Sequence, residues 1–127
     1  MTIHLTLPLP PNVANQRKHW RAKLKQKNSY WNVCSTLRHA RKVPKPPDGW
    51  PHERSRITVT LYVHNLMDHD NAMARLKWLL DWLVAWDYLA DDNPRALEWS
   101  GMPSQEIDRR IPRVEIQIEG VKDAQKS

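Results

Sequence analysis

The sequence is short of the residues that several common kinds of site require. Three glycines in 127 residues are too few for a glycine-rich phosphate loop. A single cysteine, Cys34, excludes an intramolecular disulfide and a cysteine-rich zinc centre. Nothing therefore calls for an oxidising compartment, and a cytoplasmic location is expected. No apolar run approaches the roughly 18 residues that a spanning helix needs, so no membrane partner is expected either. The opening MTIHLTLPLPP has neither a basic leader nor a small-residue cleavage site and does not read as a signal peptide. Phenylalanine is missing altogether, and seven tryptophans carry the large aromatic bulk. The length fits one domain, able to bury roughly two-thirds of its unfolded surface without covalent help.

Acidic residues are missing from one region only. Residues 1–47 hold ten lysines and arginines and no aspartate or glutamate. Residues 48–127 hold the other ten bases and all 14 acids, a local balance of −4 within a chain of net charge +6. A basic arm attracts a polyanion, and clustered acids need solvent or a cation beside them. Binding of both phosphate and a divalent metal accounts for the pair of features; a well-solvated helix face accounts for the basic run alone.

Periodicity places the elements. Ile3, Leu5 and Leu7 alternate with polar neighbours in TIHLTLP, a strand closed by Pro8, Pro10 and Pro11. From Asn15 to Lys42 there is no proline or glycine, and Trp20, Leu24, Trp31 and Leu37 mark one long helix or two consecutive ones. Residues 43–56, with four prolines and a glycine, form a loop. Ile57–Val63 is the clearest strand. Asn71 to about Trp86 is a helix, with Asp68 or Asp70 as its N-cap. Asp91-Asp92-Asn93-Pro94 is a turn, residues 95–100 are extended, and Arg113–Glu119 alternates as a closing strand. The order β-α-β-α-β-β predicts a single α+β domain of two layers, helices packed on a small mixed sheet, over residues 1–120. Residues 121–127 are expected to be a disordered tail.

The second helix concentrates the chemistry. At about 100° per residue, Lys77 and Asp81 fall within about 20° of Asp70, whereas leucines and tryptophans fill almost the whole remainder apart from Arg75. Charges on so apolar a helix are usually paired or functional. Asp68 and Asp70 stand at one end and Asp91 and Asp92 at the other, so folding back brings four hard carboxylates together, suited to Mg²⁺ or Mn²⁺. Each residue alone has a plainer reading: Lys77 and Asp81 make an i,i+4 pair, and an aspartate caps the helix. His64 and His69 lie nearby without zinc-ligand spacing. No serine–histidine nucleophile arrangement appears. Trp78, Trp82 and Trp86 form a stripe that serves core packing or, alternatively, a dimer interface.

Asp68-His69-Asp70-Asn71, then Lys77, Asp81 and Asp91-Asp92 resemble the D-x-D-N…K…D…D-D core of RusA-type Holliday junction resolvases. Leu7-Pro8-Leu9-Pro10-Pro11-Asn12, followed by Asn15 and a basic helix, resembles that family's N-terminal segment, and Arg113–Gly120 its last strand. The likeness covers most of the chain, and its specificity lies in the order of the pieces. It departs in one respect: the family's best-known members carry the lysine four residues after the second aspartate, whereas Lys77 comes seven after Asp70. Seven residues are two helical turns, so Lys77 is expected still to face Asp70.

The resemblance implies a homodimer that binds branched DNA, above all the four-way junction, and makes paired nicks with Mg²⁺ (or Mn²⁺) in recombination and repair. It implies Asp68, Asp70 and Asp92 as catalytic metal ligands, Asp91 as a further ligand, and Lys77 as the catalytic lysine. Asn15, Arg17, Lys18, Arg21, Lys23, Lys25 and Lys27 are the expected DNA contacts, holding phosphates with little sequence information. The competing expectations are a branched-DNA-binding protein that does not cut, and a nuclease for flaps or forks.

Overall fold

Alternation of apolar and polar residues builds the sheet, and the computed structural model, which describes residues 2–11 and 20–121, shows how. Strand β1 (Thr2–Pro8) turns Ile3, Leu5 and Leu7 inward; β2 (Ser55–Val63) turns Ile57, Val59, Leu61 and Val63 the same way. The last strand, β5 (Arg113–Gly120), lies between them, antiparallel to both, and adds Val114, Ile116 and Ile118. Two short strands share the far edge of β2. β3 (Leu97–Trp99) runs parallel to its first residues, and β4 (Ser104–Ile107) runs parallel to its last. The result is a mixed five-stranded sheet in an α+β domain.

Among the described residues three helices cover the apolar face: α1 (Trp20–His39) between β1 and β2, then α2 (His69–Arg75) and α3 (Lys77–Ala85) between β2 and β3. The Asn15–Lys42 segment is thus one helix over its described part. The second helical region instead divides at Leu76, whose N–H bonds back to Met73 at 3.1 Å, an i→i−3 closure that tightens the turn. Lys77 therefore opens a new helix rather than continuing the old one. The sequence expectation also lacked β4. SQEI offers no alternation because it is an edge strand largely open to solvent, so nothing selects for an apolar face.

The tryptophan stripe packs inward against α1. Trp31 Nε1 donates to the Trp78 carbonyl at 3.0 Å, and Trp82 Nε1 donates to Ser35 Oγ at 3.1 Å. Arg38 lies over the Trp86 ring at 4.8 Å, and His39 meets the same ring edge-on. These partners, spaced about a turn apart on each helix, join α1 to α3 along the stripe, with Trp82 fully buried and Trp78 and Trp86 partly so. Core packing, the first of the two roles the sequence offered, is the one that Trp82 fills.

With so few glycines, helix ends are closed by other residues. Asp87 adopts φ 67° just after α3, letting Tyr88 N–H reach the Leu83 carbonyl at 2.9 Å and Asp87 N–H reach Val84 at 3.2 Å. Arg41, at φ 61°, makes the same pair of bonds after α1, from Lys42 to Leu37 and from Arg41 to Arg38. Such left-handed C-caps normally carry glycine, and a Cβ there costs about 1 kcal/mol or more. Gly120 is needed for a different reason: a Cβ would lie 2.7 Å from the His52 ring.

Two substitutions separate packing from capping. Trp82→Ala removes a fully buried side chain and is expected to cost about 3–5 kcal/mol in urea unfolding. Asp87→Gly should instead leave stability unchanged or raise it by up to about 1 kcal/mol, the relieved φ being partly offset by a more flexible unfolded chain.

Candidate active site

The chain leaving β2 enters α2 through Asp68, its N-cap. Asp68 Oδ1 accepts the Asn71 N–H at 2.9 Å, while Oδ2 accepts from the Asn71 amide at 3.3 Å. The Asp-x-Asp-Asn run is thus a helix start. Its first aspartate satisfies an orphan N–H, and Asp70 stands exposed in the first turn, where negative charge suits the helix dipole. His64 and His69 are exposed alongside.

Lys77 is the centre of the charged cluster. Its Nζ donates to Asp81 Oδ1 at 3.2 Å and to Asp92 Oδ2 at 3.3 Å. On the other side of Asp81, Lys27 Nζ of α1 lies 3.8 Å from Oδ2, and the same ammonium sits 4.8 Å from the centre of the Trp31 ring. The Lys77 side chain is 63% exposed and those of Asp81 and Asp92 about a third, at 29% and 32%. The hydrogen bond and charge of Asp81, followed by the hydrogen bond of Asp92, raise the Lys77 pKa. Lys77 thus stays charged to higher pH than an ordinary lysine. The i,i+4 pair expected from sequence is present, and so is the approach of Asp92, from beyond the helix, to Lys77. Asp91 is exposed and accepts the Asp92 N–H at 2.7 Å, which orients that turn.

Residues outside the motif hold these groups in place. The Gln105 amide on β4 binds both backbone groups of Met67, its Oε1 accepting at 3.0 Å and its Nε2 donating at 2.8 Å. This two-point grip fixes the residue next to Asp68. Arg75, half-buried and with its pKa lowered by burial, donates to the Pro10 carbonyl. Tyr30 donates to the Pro8 carbonyl at 2.7 Å. The proline segment is thereby tied to both α1 and α2. Tyr88, stacked on Trp82 and bonded to the Pro44 carbonyl at 2.6 Å, anchors the chain just before Asp91 and Asp92. Arg75 was visible in the sequence as a charge outside the polar wedge, whereas nothing local marked Gln105.

The basic candidates divide around α1. Lys23 and Lys27, one turn apart, line a groove with Lys77, Trp20, Leu24, Ala74 and Trp78. Arg21 and Lys25 fall on the other side of the helix, and Lys25 borders a depression with Leu9, Pro11 and Tyr30. Asn15, Arg17 and Lys18 lie outside the described residues. A second basic hollow, at the far end of α1, is lined by Arg38, His39, Arg41 and Lys45. The lack of acids in residues 1–47 pointed to that region, although the candidate contacts stopped at Lys27.

The donor types suit a hard divalent cation, but their placement does not make a metal centre. Asp68 is turned onto the helix start and Asp92 onto Lys77. Among the described residues no three His, Cys, Asp or Glu side chains are grouped to hold an ion. The expected ligand set of Asp68, Asp70, Asp91 and Asp92 is therefore not gathered in this arrangement. Covalent catalysis by Cys34 has no footing: the residue is buried, and burial pushes its thiol up to about 11.

The exposure of Lys77 yields a test of whether it is there for stability. A double-mutant cycle of Lys77→Met with Asp92→Asn should give a coupling below about 1 kcal/mol in urea unfolding. A coupling of about 2 kcal/mol or more would make the cluster a structural brace. The chain matches no protein-family model and no curated protein, so the resemblance rests on the residues themselves.

Proposed function

We propose that this protein is an endonuclease that binds four-way DNA junctions as a homodimer and resolves them by paired nicks, acting in DNA recombination and repair in the cytoplasm. The observation that carries this reading is the exposed Lys77 ammonium between Asp81 and Asp92, beside a groove lined by α1 lysines. A surface that holds a fixed positive charge next to carboxylates is suited to a phosphodiester, whose charge grows on cleavage.

In this reading the side chains divide the work. Lys23 and Lys27 draw a backbone phosphate to the α1 rim by charge alone. The lysine at position 77 exchanges an aspartate partner for a phosphate oxygen and stabilises the charge that develops there. Asp81, shared with Lys27, keeps Lys77 aimed at the groove. The requirement for Mg²⁺ or Mn²⁺ comes from the family likeness alone. Bound to carboxylates, such an ion would supply Lewis-acid activation. The two-fold dimer suits a substrate in which two strands of like polarity are cut. One observation favours a second reading, a junction-binding protein that does not cut: no three carboxylates are grouped among the described residues.

Incubating the protein with a synthetic four-way junction, a duplex and a flap, with and without Mg²⁺, decides between them. Metal-dependent nicking of the junction in preference to the others is expected. Tight binding without nicking would establish the second reading, and preference for the flap would move the substrate class. By the family likeness, which makes Asp68, Asp70 and Asp92 the metal ligands, Asp70→Asn should abolish cleavage and leave binding intact, as should changes at Asp68 and Asp92, with Asp91 affected less. An Asp70→Asn protein that nicks at the wild-type rate would refute the site assignment. Lys77→Ala should lower single-turnover cleavage by about 10²-fold or more with near-normal affinity. Lys23→Ala should weaken binding on every sequence and reduce the salt slope by about one. Light scattering should give twice the 15.0 kDa chain mass; a monomer that cuts junctions fully would remove the symmetry argument.

A further inference from the structure

The groove between α1 and the α2–α3 junction has a composition that phosphate binding alone does not explain. Its volume is about 450 Å³, and Trp20, Leu24, Ala74 and Trp78 line it together with Lys23, Lys27 and Lys77. This size falls within the range of about 300–1,000 Å³ typical of small-molecule sites. The three cations and the apolar surface are interleaved, and among the described residues no carboxylate lines the groove. Trp20 and Leu24 are 62% and 47% exposed on α1, one helical turn apart. Arg21 lies over the Trp20 ring at 5.2 Å, so the indole already carries a cation, and contact with duplex phosphates does not require it.

We propose that this groove takes one unpaired nucleotide of a DNA strand, its base against the Trp20 and Trp78 rings and Leu24, its phosphate on Lys23 and Lys27, next to Lys77. Aromatic faces interleaved with cations are how single strands are held without sequence readout, because every base has a π-face and every nucleotide a phosphate. A paired base shows only its edges in the grooves of a duplex and keeps its faces stacked. The occupant is therefore a nucleotide out of the stack, such as a branch point or a single strand supplies. Two contacts give the groove a fixed wall: the Trp78 carbonyl is held by Trp31, and Lys27 is held between the Trp31 ring and Asp81. Because Lys77 lines this groove and also bonds Asp92, the bound phosphate would arrive at the charged cluster. The inference rests on the nuclease reading for its biological setting, but the groove binds or fails to bind independently of any cutting.

The test is an equilibrium titration, in EDTA so that no strand is cut, of two single-stranded oligonucleotides of equal length and charge. One carries normal bases and the other abasic sugars at its central positions. The normal strand is expected to bind about tenfold or more tightly. Trp20→Ala should bring it down to the abasic level, leaving the abasic affinity and the salt slope of both strands unchanged, because no cation is lost. Trp20→Phe should restore most of the difference, and circular dichroism should show both variants folded. Equal binding of the two wild-type complexes, or an equal loss on both strands in Trp20→Ala, overturns the proposal; so does failure to bind either strand. Cleavage assays report separately. A protein that discriminates the strands but never nicks a junction loses only the nuclease reading, and one that nicks without discriminating loses only this groove.

Discussion

The contact on which most of this structure depends is the seam between α1 and α3. Trp31 bonds the Trp78 carbonyl, Ser35 accepts from Trp82, and Arg38 and His39 close on Trp86. A small mixed sheet has one apolar face to cover, and only helices joined to each other can do so continuously. Trp82 is fully buried there and stacks on both Trp86 and Tyr88, so one side chain connects the seam, the end of α3 and the turn beyond it. The same seam places Lys27 of α1 against Asp81 of α3. Core and charged cluster are thus two sides of one helix pair, the first apolar and the second facing solvent.

The geometry of the cluster follows from how α3 ends. After Ala85 the chain reverses through Asp87, and Tyr88 and Leu89 return to the core, with Tyr88 tied to the Pro44 carbonyl. That reversal brings Asp92 back to Lys77, at the opposite end of α3. A helix of nine residues spans about 14 Å at 1.5 Å per residue, so the turn carries the chain back along the helix. Nothing in this arrangement requires Asp92 to meet a lysine, since the fold would close with any residue that tolerates the turn. An exposed ion pair of this kind adds little stability. Its placement beside a groove rich in lysine and tryptophan argues for use rather than support.

Much of this was legible from residue order, and the failures share a cause. Alternation in TIHLTLP, ITVTLYV and RVEIQIE marked the three long strands because each has one buried face. The polar wedge on the second helix foretold the Lys77–Asp81 pair. Period alone did not reveal the break at Leu76, because the residue stays near helical geometry, at φ −83° and ψ −8°, and is as buried as a continuous helix would make it. Strand β4 was missed because an edge strand open to solvent carries no alternation. Gln105, which positions the residue before Asp68, was invisible for a related reason: its partner is the backbone of a residue 38 positions away, and such a bond leaves no pattern in the sequence. The four-carboxylate grouping was the largest inference from order. In this arrangement it is replaced by two aspartates around a lysine, with Asp68 spent on a helix cap.

That replacement carries its own physical logic. Two carboxylates sharing one ammonium leave a single excess negative charge at the cluster, and Lys27 offsets it from α1. Among the described residues no carboxylate lines the groove, so a phosphate approaching through it meets Lys23, Lys27 and Lys77 first. Repulsion between substrate and acidic residues, the ordinary difficulty for a site built on aspartates, is therefore screened on the side from which a polyanion would enter. The basic hollow at the other end of α1 is a second group of positive charge, separated from the first by residues 28–37, which hold no lysine or arginine. Each end of α1 thus presents its own group of positive charge, and a phosphate at the groove meets one of them before the aspartates around Lys77.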